Sequence, residues 1–230
     1  MINAQKVIQK LRRPPAVHNW VRNIKRRTDD TALSLFNTAI NGPRHSLRQI
    51  TDIIRNVVID QLPDEQAFKC LTPIKDPLVR AYGKQILTAA LPYLREKGFK
   101  GVEVFRDMVE YYRVTQDVNV PVRPTFVVND SGKVIPYFVI CWAAIALTEY
   151  QKRILTTMIA EAILSLEEFE GSDAVILCIP RHRFSKTERY VHEWKVSDYE
   201  PLTEDEKTDL FDRYAKALNI AEGMIIETLG

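Results

Sequence analysis

No acidic side chain stands before Asp29 in this 230-residue chain, and that gap is one of several absences that narrow what the protein can do. The longest uncharged apolar run, 134–147, is shorter than the roughly 20 residues a membrane-spanning helix needs. It also contains Pro136 and reads instead as a buried strand, so no membrane partner is expected. Cysteine is scarce: Cys70, Cys141 and Cys178 lie far apart in apolar surroundings. An odd, sparse set excludes a disulfide framework and points to a reducing compartment. No apolar signal core follows the first residues, so the expectation is a cytoplasmic rather than a secreted protein. Phosphate-loop and dinucleotide patterns are missing, since Gly98 and Gly101 form the closest glycine pair and lack the rest of either motif. There is no Gly-x-Ser-x-Gly elbow. The four histidines have no HExxH or Cys-x-x-Cys company, and Cys178, His182 and His192 match no zinc-ligand spacing, so no metal or cofactor is expected.

What the chain does have is an uneven charge. Residues 1–55 hold eleven Lys/Arg against three acids (Asp29, Asp30, Asp52), a local +8 within an overall net charge of +2. Such a region is an electrostatic footprint for phosphate backbones, DNA or RNA, with Arg12, Arg13, Arg22, Lys25, Arg26 and Arg27 as the candidate contacts. The same basic face could instead dock on a protein partner or on the chain's own acidic remainder. Helical spacing places a helix at Ala4, Val7, Ile8 and Leu11, ended by Pro14-Pro15. A short helix or irregular basic arm follows over 17–27. Further helices are expected over 31–40, stopped by Asn41-Gly42-Pro43, and over 46–61, closed by Pro63. Residues 1–70 thus read as a basic helical N-terminal region and 71–230 as an α+β core domain.

In the core, Asp76 caps a helix with Pro77 at its first position, running to Gly98 past Pro92, which should kink it. Residues 98–112 permit one or two strands. The apolar run 118–128, the turn 129–133 and the run 134–142 predict a β-hairpin. Thr148 and Gln151 form a capping box that opens a long amphipathic helix to about 169. Ala174 to Ile179 reads as a buried central strand, 188–196 as an exposed strand paired to it, and Thr203 with Glu206 opens the last helix.

This order of helix, strands, helix and strand resembles the α-β-β-β-α-β core of the restriction-endonuclease-like, or PD-(D/E)XK, nucleases. The resemblance covers about a hundred residues from Pro77 to Ile179 and lies in topology rather than motif. It implies a mixed sheet flanked by helices, with a catalytic Asp on the second strand and Glu-x-Lys on the third, the carboxylates holding Mg²⁺. Here Thr125 of Arg123-Pro124-Thr125-Phe126 stands where that Asp should be. The third strand carries neither acid nor lysine after Lys133. Since a hydroxyl and apolar side chains cannot replace paired carboxylates around a divalent cation, the resemblance implies a non-catalytic relative. A rival placement puts Asp173, Glu193 and Lys195 in the catalytic roles of a Mg²⁺-dependent nuclease, because strand alternation sets Glu193 and Lys195 on one face. A third reading is a structural subunit of a larger protein assembly. The expectation taken forward is a non-catalytic binding protein, associated with nucleic acid through its basic N-terminal arm.

Overall fold

The computed structural model describes residues 3–42 and 45–230, so Pro43 and Arg44, the end of one expected helix stop and one of the eleven basic residues, lie outside the described residues. The fold is α+β. Five helices come first: α1 (Ala4–Leu11), α2 (Val17–Val21), α3 (Thr28–Asn41), α4 (Arg48–Ile59) and α5 (Asp64–Lys69), the last falling just beyond the proline that was expected to close the helix before it. Pro63 lies past the end of α4, as expected, and sits immediately before α5, where its missing N–H costs nothing. Helix α6 (Pro77–Lys97) starts on Asp76, whose carboxylate accepts from Leu78 N (2.8 Å), and ends at Gly98 in the left-handed conformation.

The apolar run 118–128 is two strands, not one. A separate hairpin pairs β1 (Glu110–Arg113) with β2 (Asn119–Val122). Pro124, which cannot donate to a ladder, breaks the run, and β3 (Phe126–Asp130) then joins the main sheet. β4 (Lys133–Ile140) returns antiparallel through Ser131 and Gly132, both with positive φ (54° and 86°), a two-residue turn of the kind that matches strand twist. Helix α7 (Glu149–Ile159), continued by a wider turn over Ala160–Leu164, crosses to β5 (Val175–Cys178), which is parallel to β4. β6 (His192–Lys195) runs antiparallel to β5, and α8 (Glu204–Leu229) closes the chain. The sheet order is β3-β4-β5-β6.

Each face of the sheet is covered. Val127, Phe138, Ile140, Ile176 and Trp194 point into a core with α2, α3, α7, α8 and the β1–β2 hairpin. Phe126, Val128, Tyr137, Val139 and Leu177 point into a second core with α4 and α6. The first seventy residues contribute to both: Trp20, Ile24 and Leu35 to one, Ile50, Ile54 and Val57 to the other. Residues 100–102 lie along the outer side of β3, with Val102 N donating to Val127 O (2.8 Å) and Asn129 N to Lys100 O (3.2 Å). Gly101 permits this, because a Cβ there would stand 2.6 Å from Ile59 Cα.

Candidate nucleic-acid interface

β4 and β5 are parallel, so both of their carboxyl ends lie at the same end of the sheet. Trp142 lies at the end of β4, and the basic arm is fastened beside it by α7. Gln151 is buried, and its Oε1 accepts from Thr148 N (2.9 Å) to complete the expected capping box. Its Nε2 faces three carbonyls of the arm: Val21 (3.2 Å), Arg22 (3.2 Å) and Ile24 (2.8 Å). One side chain therefore starts a helix and holds the arm.

Around that anchor, Trp142 is a platform. The Arg22 guanidinium sits 4.3 Å from its ring centroid, a cation–π contact that leaves the residue exposed. The indole N–H can only donate, and it points to Asn19 Oδ1 (3.2 Å). Asn19 Nδ2 must then face His18 Nε2 (3.0 Å), which fixes the imidazole as the neutral tautomer with its proton on Nδ1. Desolvation of the ring, with the charge of Arg22 added, pushes the His18 pKa down to about 4. Arg26 approaches the Tyr150 ring (5.4 Å), and Arg213 of α8 donates to the Lys25 and Arg26 carbonyls (3.1 and 3.0 Å). Burial lowers the Lys25 pKa, helped by the repulsion of Arg22 and opposed by Asp30.

The six arm residues divide. Arg22, Lys25 and Arg26 gather at the Trp142–Tyr150 edge, with Arg27 exposed just before α3. Arg13 is exposed after α1. Arg12 is committed elsewhere, as its guanidinium forks onto Glu222 of α8 (2.7 and 2.9 Å) and lies 3.7 Å from Asp117. A helical arm at +8 is thus partly neutralised by the chain's own acids.

The sequence reading missed the second half of this edge. Residues 188–191 belong not to an exposed strand but to a tight excursion from Pro180 to Val191 between β5 and β6. His182 N donates to Glu188 O (2.9 Å), Tyr190 N to Pro180 O (3.1 Å), and Ser185 N to His182 O (3.1 Å). Arg181 and Arg189 face each other across its base. Arg189 Nη1 reaches the carbonyls of Cys141 (3.1 Å), Trp142 (3.2 Å) and Ile179 (2.7 Å), just past the ends of β4 and β5. Burial lowers the Arg189 pKa, and the like charge of Arg181 adds to the shift. The loop carries Arg181, Arg183, Lys186 and Arg189 against a single acid, Glu188. Trp142 joins the two basic segments, with Arg22 on its ring and Arg189 on its carbonyl. The available signal was four cations in nine residues directly after a buried strand.

The residues considered for catalysis have other partners. Thr125 Oγ1 accepts from Val139 N (2.9 Å) and Thr125 N donates to Tyr137 O (2.7 Å), so its hydroxyl continues the β3–β4 ladder past the end of β3. Glu193 and Lys195 do share the α6-side face, opposite Leu177 and Val175. Glu193 accepts from the Tyr93 hydroxyl and from Lys97 Nζ (3.4 Å). Burial first, then that carboxylate, raises the Tyr93 pKa. Asp173 lies opposite Ser197, taking hydrogen bonds from its Oγ (2.6 Å) and its N (3.3 Å). Glu193 pairs with Leu177, four positions along the chain from Asp173, which in extended chain is roughly 13 Å. Two surface depressions of about 560 and 370 Å³, at α5–α6 and around His45, contain no pair of carboxylates. Among the described residues no three His, Cys, Asp or Glu side chains could hold a metal, although Cys178 and His192 are paired in the β5–β6 register. Among the described residues, too, no helix is long and apolar enough to cross a membrane.

No protein-family model matches the chain, and no curated protein matches it.

Proposed function

We propose that this protein is a non-catalytic nucleic-acid-binding protein that grips the phosphate backbone with the edge where β4 and β5 end. The observation that carries this reading is the convergence on Trp142 of two basic segments far apart in sequence. Arg22, Lys25 and Arg26 come from the arm, Arg181, Arg183, Lys186 and Arg189 from the loop, and among the described residues none of these seven has a carboxylate within the 4.0 Å of an ion pair. Two segments that meet at one residue, each carrying cations without an ion-pair partner, offer what a polyanionic ligand would engage. The non-catalytic part rests on Thr125, whose hydroxyl is engaged by backbone where the nuclease-like core would place a metal-binding Asp, and on the separation of Asp173 from Glu193. The strip 100–102, β3, β4, α7 and β5 follow α6 in the order of that core, with β1–β2 inserted, which supports kinship of fold without its chemistry.

The test is binding of labelled DNA and RNA of arbitrary sequence by fluorescence anisotropy across salt concentrations. Affinity falls steeply with salt, and replacing Arg26, Arg27 and Arg183 together by alanine flattens the log–log slope by about two to three, since each phosphate contact contributes roughly 0.9. No Mg²⁺-dependent cleavage accompanies binding. Absence of binding at low salt refutes the proposal, and cleavage abolished by Glu193→Gln would establish the Asp173–Glu193–Lys195 nuclease instead.

A further inference from the structure

At the tip of the 180–191 loop, Phe184 is 95% exposed, the most exposed large apolar side chain among the described residues. A phenylalanine in water forgoes the burial that stabilises its kind elsewhere, and hydrophobic docking surfaces ordinarily show several such side chains together. Phe184 stands alone instead. Its neighbours at the tip are His182, Arg183, Ser185 and Lys186, all polar, and the Arg183 guanidinium lies 5.6 Å from its ring. The loop that presents it is held in place. Ser185 Oγ accepts from Glu188 N (2.9 Å) and from Thr187 N (3.3 Å), the cross-loop bonds at 182–188 and 180–190 close it, and Arg189 pins its base to the sheet. Behind the tip, the rings of His182 and Tyr190 pack 4.9 Å apart, with Tyr190 38% exposed.

We infer that this loop binds single-stranded nucleic acid, with Phe184 stacking on an unpaired base while Arg183 and Lys186 hold the flanking phosphates. The inference rests on the nucleic-acid reading above and adds the form of the ligand. An isolated ring between cations fits a nucleotide strand, which offers flat aromatic faces and negative charges in alternation. A duplex hides its base faces in the stack, so it would meet the cations of this loop but leave the ring without a partner. A greasy protein surface would be poorly served by one ring ringed with charge.

The experiment compares a fluorescent 20-nucleotide single strand with the same sequence as a duplex, for the intact chain and for Phe184→Ala and Phe184→Trp. The intact chain binds the single strand more tightly. Phe184→Ala weakens single-strand binding about 5- to 150-fold, the loss of one stacked base, leaves duplex binding within twofold, and leaves the salt slope unchanged because phenylalanine displaces no counterion. Phe184→Trp restores affinity. An exposed ring touching only its neighbour puts folding at no risk in either variant. Equal affinity for duplex and single strand, or a Phe184→Ala protein that binds single strands like the parent, overturns this inference and leaves the broader proposal standing. No binding of either form overturns both and assigns the loop to a protein partner.

Discussion

Replacing Gln151 by alanine removes a side chain that serves two elements at once, and its cost can be built up group by group. The half of the capping box that Gln151 supplies, its Oε1 accepting from Thr148 N, is lost, a hydrogen bond worth about 1 kcal/mol, while residue 151 N still donates to Thr148 Oγ1. Of the three arm carbonyls facing Nε2, Val21 O keeps a bond from Ile24 N and Arg22 O keeps one from Lys25 Nζ. Ile24 O, beside a side chain only 1% exposed, is left with none. An orphaned buried carbonyl costs about 1–3 kcal/mol. Together the substitution should destabilise the protein by about 3 kcal/mol, lowering the melting temperature by about 6–12 °C for a chain of this size. Urea denaturation followed by circular dichroism measures it. Gln151→Glu separates the two roles: it keeps the acceptor for Thr148 N but aims a carboxylate at the arm's carbonyls. It should be at least as destabilising as alanine at pH 7 and recover partly as the acid protonates. A loss below 1 kcal/mol for Gln151→Ala, or Gln151→Glu behaving like the parent, would show that the arm is not held by this residue.

Two further outcomes follow from groups held away from their ordinary protonation. His18 has its pKa lowered in the folded chain below the unfolded value of 6.5, so the unfolded chain binds the extra proton and stability falls as pH drops from about 7 until it levels near 4. The loss reaches about 2.5 kcal/mol by pH 4.5, and urea midpoints across pH should show it in the parent but not in His18→Gln. Burial pushes the thiol of Cys141 up to about 12 and that of Cys178 up to about 11, whereas Cys70 is exposed, so a thiol reagent at pH 7.5 should label one cysteine in the native protein and three in urea, read by mass spectrometry.

Signals that act within a few residues were legible before any coordinates. The Thr148–Gln151 and Thr203–Glu206 boxes mark the starts of α7 and α8, Asp76-Pro77 marks α6, and the all-apolar 175–178 is the buried strand between two partners. The hairpin at 131–132 also follows from turn residues alone. What escaped depended on contacts distant in sequence. Nothing near Pro124 says that β2 leaves for a second sheet. Nothing near Gln151 says that its amide reaches 130 residues back to Val21. Charge counting found the arm but not that Glu222 takes Arg12, and it passed over the 181–189 loop because Glu188 to Val196 alternates like a strand. The α+β class was readable; the basic edge exists only once β4 and β5 lie side by side.

The strip 100–102 has a consequence for how this molecule meets others. A sheet with an open side can recruit a foreign strand, in productive complexes or in aggregates. Here the β3 side is already occupied by Lys100 and Val102, wedged in place at Gly101. The β6 side is four residues long, carries His192, Glu193 and Lys195, and turns away at once into a helical turn at Val196. Both flanks are blunted against backbone pairing, one by a covering strip and the other by its shortness and charge, which disfavours a foreign strand and steers association to the ends of the sheet, where side chains rather than main chain do the recognising.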